Sequence, residues 1–92
     1  MKISILIPVN DFDIVALVHC MRDGIEQVHE FCEIIIGDDG SSEEYKKKYQ
    51  SLAGDKVRIV SSEKNIGRAS IRNRLIMEAS GDFLLFIDAD TM

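Results

Sequence analysis

Proline occurs once in this chain, cysteine twice and tryptophan not at all. Cys20 and Cys32 lack CxxC spacing, so neither the disulfide framework of a small secreted domain nor a zinc site is expected. Both sit among apolar neighbours and read as buried free thiols. No apolar run approaches the roughly 20 residues needed to cross a bilayer. The first apolar stretch begins at Lys2-Ile3 without a charged leader or cleavage site, so no secretory signal is expected and the cytoplasm is the default compartment. Positive charge is also scarce, with 11 basic against 16 acidic residues and a net charge of −5. That excludes a phosphate-backbone binder, whose affinity rests on clustered Lys and Arg, and no nucleic-acid partner is expected. The one basic run, Lys46-Lys47-Lys48, follows Glu43-Glu44 and reads as a solvated helix face with i,i+4 pairing. His19 and His29 have no partner at ligand spacing and no nearby nucleophile, and both read as helix-surface residues.

What remains has the composition of an ordinary soluble domain, 46% hydrophobic and 29% charged over 92 residues, which suits one small domain, residues 1–92. Residues 3–9 form a short apolar strand whose end is marked by Pro8, a residue that cannot donate to a ladder. Residues 10–13 make a polar turn. From Ile14 the apolar positions Ile14, Leu17, Val18, Met21, Ile25 and Val28 follow the spacing of an amphipathic helix, with a break allowed at Gly24. Residues 33–37 are a second buried strand ending in Asp38-Asp39-Gly40-Ser41-Ser42. Ser41 or Ser42 caps a helix reaching Leu52. Residues 57–60 alternate as a strand nearer an edge. A loop spans 62–67, and a helix over 68–80 turns Ile71, Leu75, Ile76 and Ala79 inward. The last strand, residues 83–87, is a continuous apolar run of the kind buried on both faces of a parallel sheet.

Strand–helix alternation repeated in this way predicts an α/β, doubly wound, mainly parallel four-stranded sheet with helices on both faces. Right-handed crossovers favour the order 3-2-1-4, with ligands off the carboxyl ends between strands 1 and 4, where the order reverses. Pro8-Val9-Asn10, Asp38-Asp39 and Asp88-Ala89-Asp90 then gather around one crevice. Strand residues two apart point the same way, so Asp88 and Asp90 aim at one point. Two hard oxygen donors there suggest a divalent cation, Mg²⁺ or Mn²⁺, with a phosphate as further ligand; the competing reading is a solvated turn. The dinucleotide-binding glycine fingerprint and the GxxxxGK[ST] phosphate loop are both absent, so nucleotide phosphates would be held by a metal and by side chains.

Four stretches in this order and spacing resemble the nucleotide-binding half of family 2 glycosyltransferases of the GT-A fold. They are Ile5-Leu6-Ile7-Pro8-Val9-Asn10, residues 33–42 with Asp38-Asp39-Gly40-Ser41-Ser42, Asn65-Ile66-Gly67-Arg68-Ala69-Ser70-Ile71-Arg72-Asn73, and residues 81–90 with the DxD pair Asp88 and Asp90. The resemblance spans essentially the whole chain. It implies that Pro8 and Val9 line a nucleobase site and that Asp39 hydrogen-bonds the base, usually uracil. Arg72 would lie near the base or diphosphate, with Asn65 and Gly67 shaping the loop. Asp88 would face the ribose, and Asp90 would bind the metal bridging the diphosphate. The implied activity is transfer of a sugar, with inversion, from a UDP-type nucleotide-sugar donor to a sugar or lipid-linked acceptor.

Simpler roles stand beside these. Asp38 caps the turn that follows it, Arg72 pairs with Glu78 or another surface acid, and Asn65 and Gly67 make a turn and helix entry. Asn73 bonds backbone inside its helix. The family's aromatic between Pro-Val and Asn is missing, so base stacking weakens or passes to Phe12. The family's acceptor-binding half and its general base are expected beyond Met92, so the chain alone is expected to bind donor without turnover. Two other classes compete. A phosphoacceptor receiver domain also sets carboxylates at strand ends, but wants its acidic pair after strand 1. A non-catalytic binding module would self-associate through the strand edge left after strand 4.

Overall fold

The computed structural model describes residues 2–26, 32–54 and 56–87. The elements are β1 (Ile3–Val9), α1 (Val15–Glu26), β2 (Cys32–Asp39), α2 (Glu43–Leu52), β3 (Val57–Ser62), α3 (Arg68–Glu78) and β4 (Phe83–Phe86). The four strands are parallel, in the order β3-β2-β1-β4. Both the order and the parallel sense agree with the sequence reading.

Strand alternation sorts the core into two layers. Ile5, Ile7, Val9, Ile34 and Ile36 pack on one side with Ile14 and Val18 before and within α1, and with Tyr49 and Leu52 of α2. Leu6, Ile35 and Val60 pack on the other side against Leu75 of α3. Each fully buried aliphatic side chain contributes about 1.5–3 kcal/mol, so this two-sided burial of β1 and β2 is the main source of stability. Gly37 lets α3 come close: a Cβ there would stand 2.8 Å from Leu75 Cδ1 and 3.1 Å from Ile71 Cγ1. α1 runs through Gly24 without a break. The expected inward residue Val28 and the surface residue His29 lie outside the described residues, as do the side chains of Ile25 and Cys32.

Several local expectations are corrected. β4 is not buried on both faces: Phe83, Leu84 and Leu85 are 56%, 40% and 51% exposed. It pairs with β1 at the sheet edge, and α3 docks mainly over β2 and β1, meeting β4 at Phe86. Ile76 is exposed, because the inward stripe of α3 runs through Ile71 and Leu75 and position 76 lies a further 100° round the helix. Cys20 is an exposed free thiol, on the α1 face opposite Val18. Ser42 occupies the N-cap of α2 without a side-chain cap bond. The basic run is not uniformly solvated either. Lys46 folds onto the end of β2 and β3, while Lys48 pairs with Asp13 at 3.5 Å and lies 5.2 Å from the Tyr45 ring centre.

A second polar knot closes the opposite end of the sheet. Glu33 on β2 is buried and accepts hydrogen bonds from Ser4 Oγ at 2.7 Å, Ser80 N–H at 2.9 Å and Ser80 Oγ at 2.6 Å. Arg58 approaches its other oxygen at 3.3 Å. Burial alone would raise this carboxyl's pKa, but the hydrogen bonds from Ser80 and Ser4 and the Arg58 charge outweigh it and hold the pKa at about 2. The knot ties β1, β2, β3 and the start of β4 together, far from the carboxyl ends where a ligand would sit.

Candidate functional site

The adjacent aspartates at the end of β2 are separated by the same alternation that sorts the core. Asp38 shares the face of Ile34 and Ile36 and turns toward α2. Its Oδ1 accepts the Ser41 N–H at 3.0 Å and its Oδ2 takes Lys46 Nζ at 3.0 Å. It is wholly buried, and serves as the turn cap that the simpler reading described. Asp39 shares the face of Ile35 and Gly37 and turns toward α3. Its Oδ1 accepts the Ile66 N–H at 2.6 Å, which hangs the 62–67 loop on the strand end.

Asp39 is one wall of a cavity of about 280 Å³ lined also by Pro8, Val9, Asn10, Phe12, Asn65, Arg68 and Ile71. Small-molecule sites begin at roughly this size, about 300 Å³. Pro8 and Val9 end β1, so the strand delivers them here directly. Asn10 follows and donates its Nδ2 to the Asp39 carbonyl at 2.6 Å, joining the two strand ends. Asn65 supplies the loop, its Oδ1 accepting the Gly67 N–H at 3.1 Å. Gly67 stands at φ 94° and Gly40 at φ 68°, backbone positions that L side chains rarely adopt. A Cβ on Gly40 would also strike the Asn65 backbone, so the turn after β2 and the loop after β3 lie in contact only because residue 40 is glycine.

Of the sequence-predicted residues, the structure brings Pro8, Val9 and Asp39 together. Arg72 does not line the cavity. It lies one turn along α3, its guanidinium carbon 4.1 Å from the centre of the Phe86 ring, a cation–π contact joining α3 to β4. Glu78, offered as its partner, pairs instead with Arg58 at 3.5 Å. Asp88 and Asp90 lie outside the described residues. Among the described residues no group of three or more His, Cys, Asp or Glu is arranged to hold a metal. The cavity itself opens off the ends of β1 and β2, beside α3.

Sequence reasoning missed Arg68. Its signal was present: positions 68, 71 and 75 share one helix face, so a cation at the start of the inward stripe is directed toward the strand ends. It also missed the supports of the loop after β1. Asp11, at φ 47°, donates its N–H to Ser41 Oγ at 2.9 Å and accepts the Ser42 N–H on Oδ1 at 2.7 Å. The Tyr49 hydroxyl donates to the Phe12 carbonyl at 2.7 Å and accepts the Phe12 N–H at 3.1 Å. No sequence spacing connects residues so far apart in the chain.

Fold and cavity together define an α/β domain with an open cavity at the carboxyl ends of a doubly wound parallel sheet. Residues 4–92 match the model of glycosyl transferase family 2, and the chain belongs to that family. It is 33% identical over 91 residues to an uncharacterized glycosyltransferase of Rickettsia bellii, covering 99% of this chain and 13% of that protein. It is 36% identical over 100 residues to the poly(ribitol-phosphate) beta-glucosyltransferase of Bacillus spizizenii, covering 98% of this chain and 15% of that protein. The chain thus spans only a small part of the length of these relatives. The crystal structure of S. aureus TarS 1–349 in complex with UDP superposes with a TM-score of 0.66 at 23% identity, over 98% of this chain and 28% of that one. The likeness to TarS carries the GT-A type of fold and no more. Membership of this family also removes the phosphoacceptor receiver reading. No helix among the described residues is long and apolar enough to cross a membrane.

Proposed function

We propose that the chain is the donor-binding part of a glycosyltransferase that takes a sugar from a UDP-type nucleotide-sugar and transfers it with inversion to a sugar or lipid-linked acceptor on the cytoplasmic side. The observation that carries this reading is Asp39. One carboxylate oxygen is fixed by the Ile66 amide at 2.6 Å, and the residue is 5% exposed in the wall of the cavity. An ionised carboxylate has about four lone-pair sites, so the Ile66 bond leaves it acceptor capacity. It accepts the imide N–H of uracil and has no donor for the unprotonated ring nitrogen of cytosine. Pro8 and Val9 give the base an apolar wall, and Phe12 gives it an aromatic one. Arg68 and Arg72, one turn apart on α3, set positive charge on the side where a diphosphate would lie. The UDP held by TarS, a protein of like fold, supports the choice of base.

Asp88 and Asp90 are the proposed holders of Mn²⁺ or Mg²⁺, Asp88 also facing the ribose; two carboxylates one residue apart are hard oxygen donors of the type these ions take. When bound, the ion neutralises charge on the departing nucleoside diphosphate as a Lewis acid. The chain's described residues would grip and orient the nucleotide, and the 92-residue chain is expected to bind UDP weakly and to transfer nothing. Calorimetric titration tests this: UDP should bind at least about tenfold more tightly than CDP. Equal affinity for the two would overturn the role given to Asp39.

A second reading, a binding module that self-associates, is favoured by the exposed Phe83, Leu84 and Leu85 of edge strand β4. Sizing the chain across a range of concentrations decides it. A monomer throughout removes this reading.

A further inference from the structure

We infer that Tyr49 is a positioning residue for nucleobase recognition, acting through Phe12; this rests on the nucleotide-site reading above and deepens it. Phe12 is the one aromatic residue among the described lining of the cavity. It sits in an irregular segment between β1 and α1, where the backbone has no ladder or helix to define it. Such a segment places a side chain well only if its peptide groups are tied down. Here a single phenol does so. Tyr49 is fully buried on α2, and its hydroxyl takes both the N–H and the C=O of Phe12, at 3.1 and 2.7 Å.

Two features separate this from ordinary core packing. A phenylalanine at position 49 would fill the same space beside Ile14 and Leu52, so the hydroxyl is not needed for volume. Two of its hydrogen bonds go to the backbone of the one aromatic residue in the described cavity lining. The neighbouring residue shows that the segment is held against a local preference. Asp11 stands at φ 47°, a region that L side chains rarely adopt, and its N–H and carboxylate are clasped by Ser41 Oγ and the Ser42 N–H. With Asp11 clasped on one side and Phe12 on the other, the ring is held partly exposed, at 36%, rather than folded into the core.

The test is a double-mutant cycle on the 92-residue chain, titrated with UDP and with inorganic pyrophosphate in the presence of Mn²⁺. Phe12→Ala and Tyr49→Phe should each weaken UDP binding by about tenfold, the scale of one base–aromatic stack, and leave pyrophosphate binding within about twofold. If Tyr49 acts through Phe12, the double variant should bind UDP no more weakly than Phe12→Ala alone, whereas independent sites would multiply their losses. Wild-type UDP affinity in Tyr49→Phe, multiplied losses, or an equal loss of pyrophosphate binding would each overturn the inference. A wild-type chain that binds UDP no better than pyrophosphate would overturn the nucleotide reading itself, and the inference with it. Should Tyr49→Phe fail to fold, hydrogen exchange at the Phe12 amide in the unaltered chain reads the same link. UDP should slow that exchange at least about fivefold and pyrophosphate should not, because a stacked base closes the clamp's opening. No difference between the two ligands would overturn the inference.

Discussion

Asp38 and Asp39, neighbours in the chain, serve opposite faces of the sheet: the first is closed by Lys46 at 3.0 Å, and the second holds the Ile66 amide at 2.6 Å in the cavity wall. Strand pleating alone produces this division of labour. It predicts that the two residues fail in different ways when altered.

Asp39→Ala should weaken UDP binding by more than about tenfold, since it removes the acceptor for the base and releases the 62–67 loop together. Asp38→Ala should leave UDP affinity within a few-fold and lower stability instead. Lys46→Met should lower stability more, by about 3 kcal/mol, because it strands a buried carboxylate, whereas a Lys46 left without Asp38 swings into water. Urea unfolding beside UDP titration separates the three. Equal losses of stability in Asp38→Ala and Asp39→Ala, with equal losses of affinity, would contradict the assignment.

Acid sensitivity should come from the far end of the sheet. The Glu33 carboxyl titrates at about 2 in the folded chain, against an ordinary value of 4.5. A depressed folded pKa means that stability is present in full above the unfolded value and is lost as pH falls from about 4.5 toward 2, as protons bind the unfolded chain first. The loss is on the order of 3 kcal/mol, since a tenfold change in proton affinity corresponds to about 1.4 kcal/mol. Glu33→Gln should be less stable at pH 7 and should flatten this limb of the stability–pH profile. An unchanged acid limb in the variant would remove Glu33 as its source.

Gly37→Ala should loosen α3 from the sheet. The added methyl group would sit 2.8 Å from Leu75 Cδ1, and overpacking of this kind costs about 1–3 kcal/mol. Leu75→Ala added to Gly37→Ala should cost less than the sum of the two single changes, as removal of the leucine end relieves the clash. Simple additivity in urea unfolding would show that α3 yields elsewhere.

The proposed metal pair gives a calorimetric signature. UDP heats should differ clearly with and without Mn²⁺ in the unaltered chain, and Asp90→Asn should abolish the difference, with Asp88→Asn weakening it. Identical heats in the unaltered chain with and without the ion would contradict the role given to Asp90.

Hydrophobic periodicity and turn residues made the architecture legible, because strand and helix periods are local properties of the chain. The sheet order followed from crossover handedness, and the observed order β3-β2-β1-β4 matches it. Strand ends are recognisable, which gathered Pro8, Val9, Asp38 and Asp39 around one crevice, and the resemblance to family 2 glycosyltransferases then singled out Pro8, Val9 and Asp39. Where the reading failed, the failing quantity was set by docking. Ile76 has the right character for a core residue and the wrong angle, and Cys20 looks buried in the string of residues and faces solvent on α1. The apolar run of β4 shows its hydrophobicity in the sequence, but whether anything covers it depends on where α3 comes to rest.

The chain's own order of residues determined that a parallel sheet would form and which strand ends would carry polar groups, since both follow from steric periods of 2 and 3.6 residues and from chirality. Tertiary structure alone decided that Arg68 lines the cavity, that Arg72 turns to Phe86 instead, and that Tyr49 holds Phe12 from 37 residues away. These depend on how whole elements dock, and docking is fixed by the fit of surfaces in three dimensions, which no local spacing records.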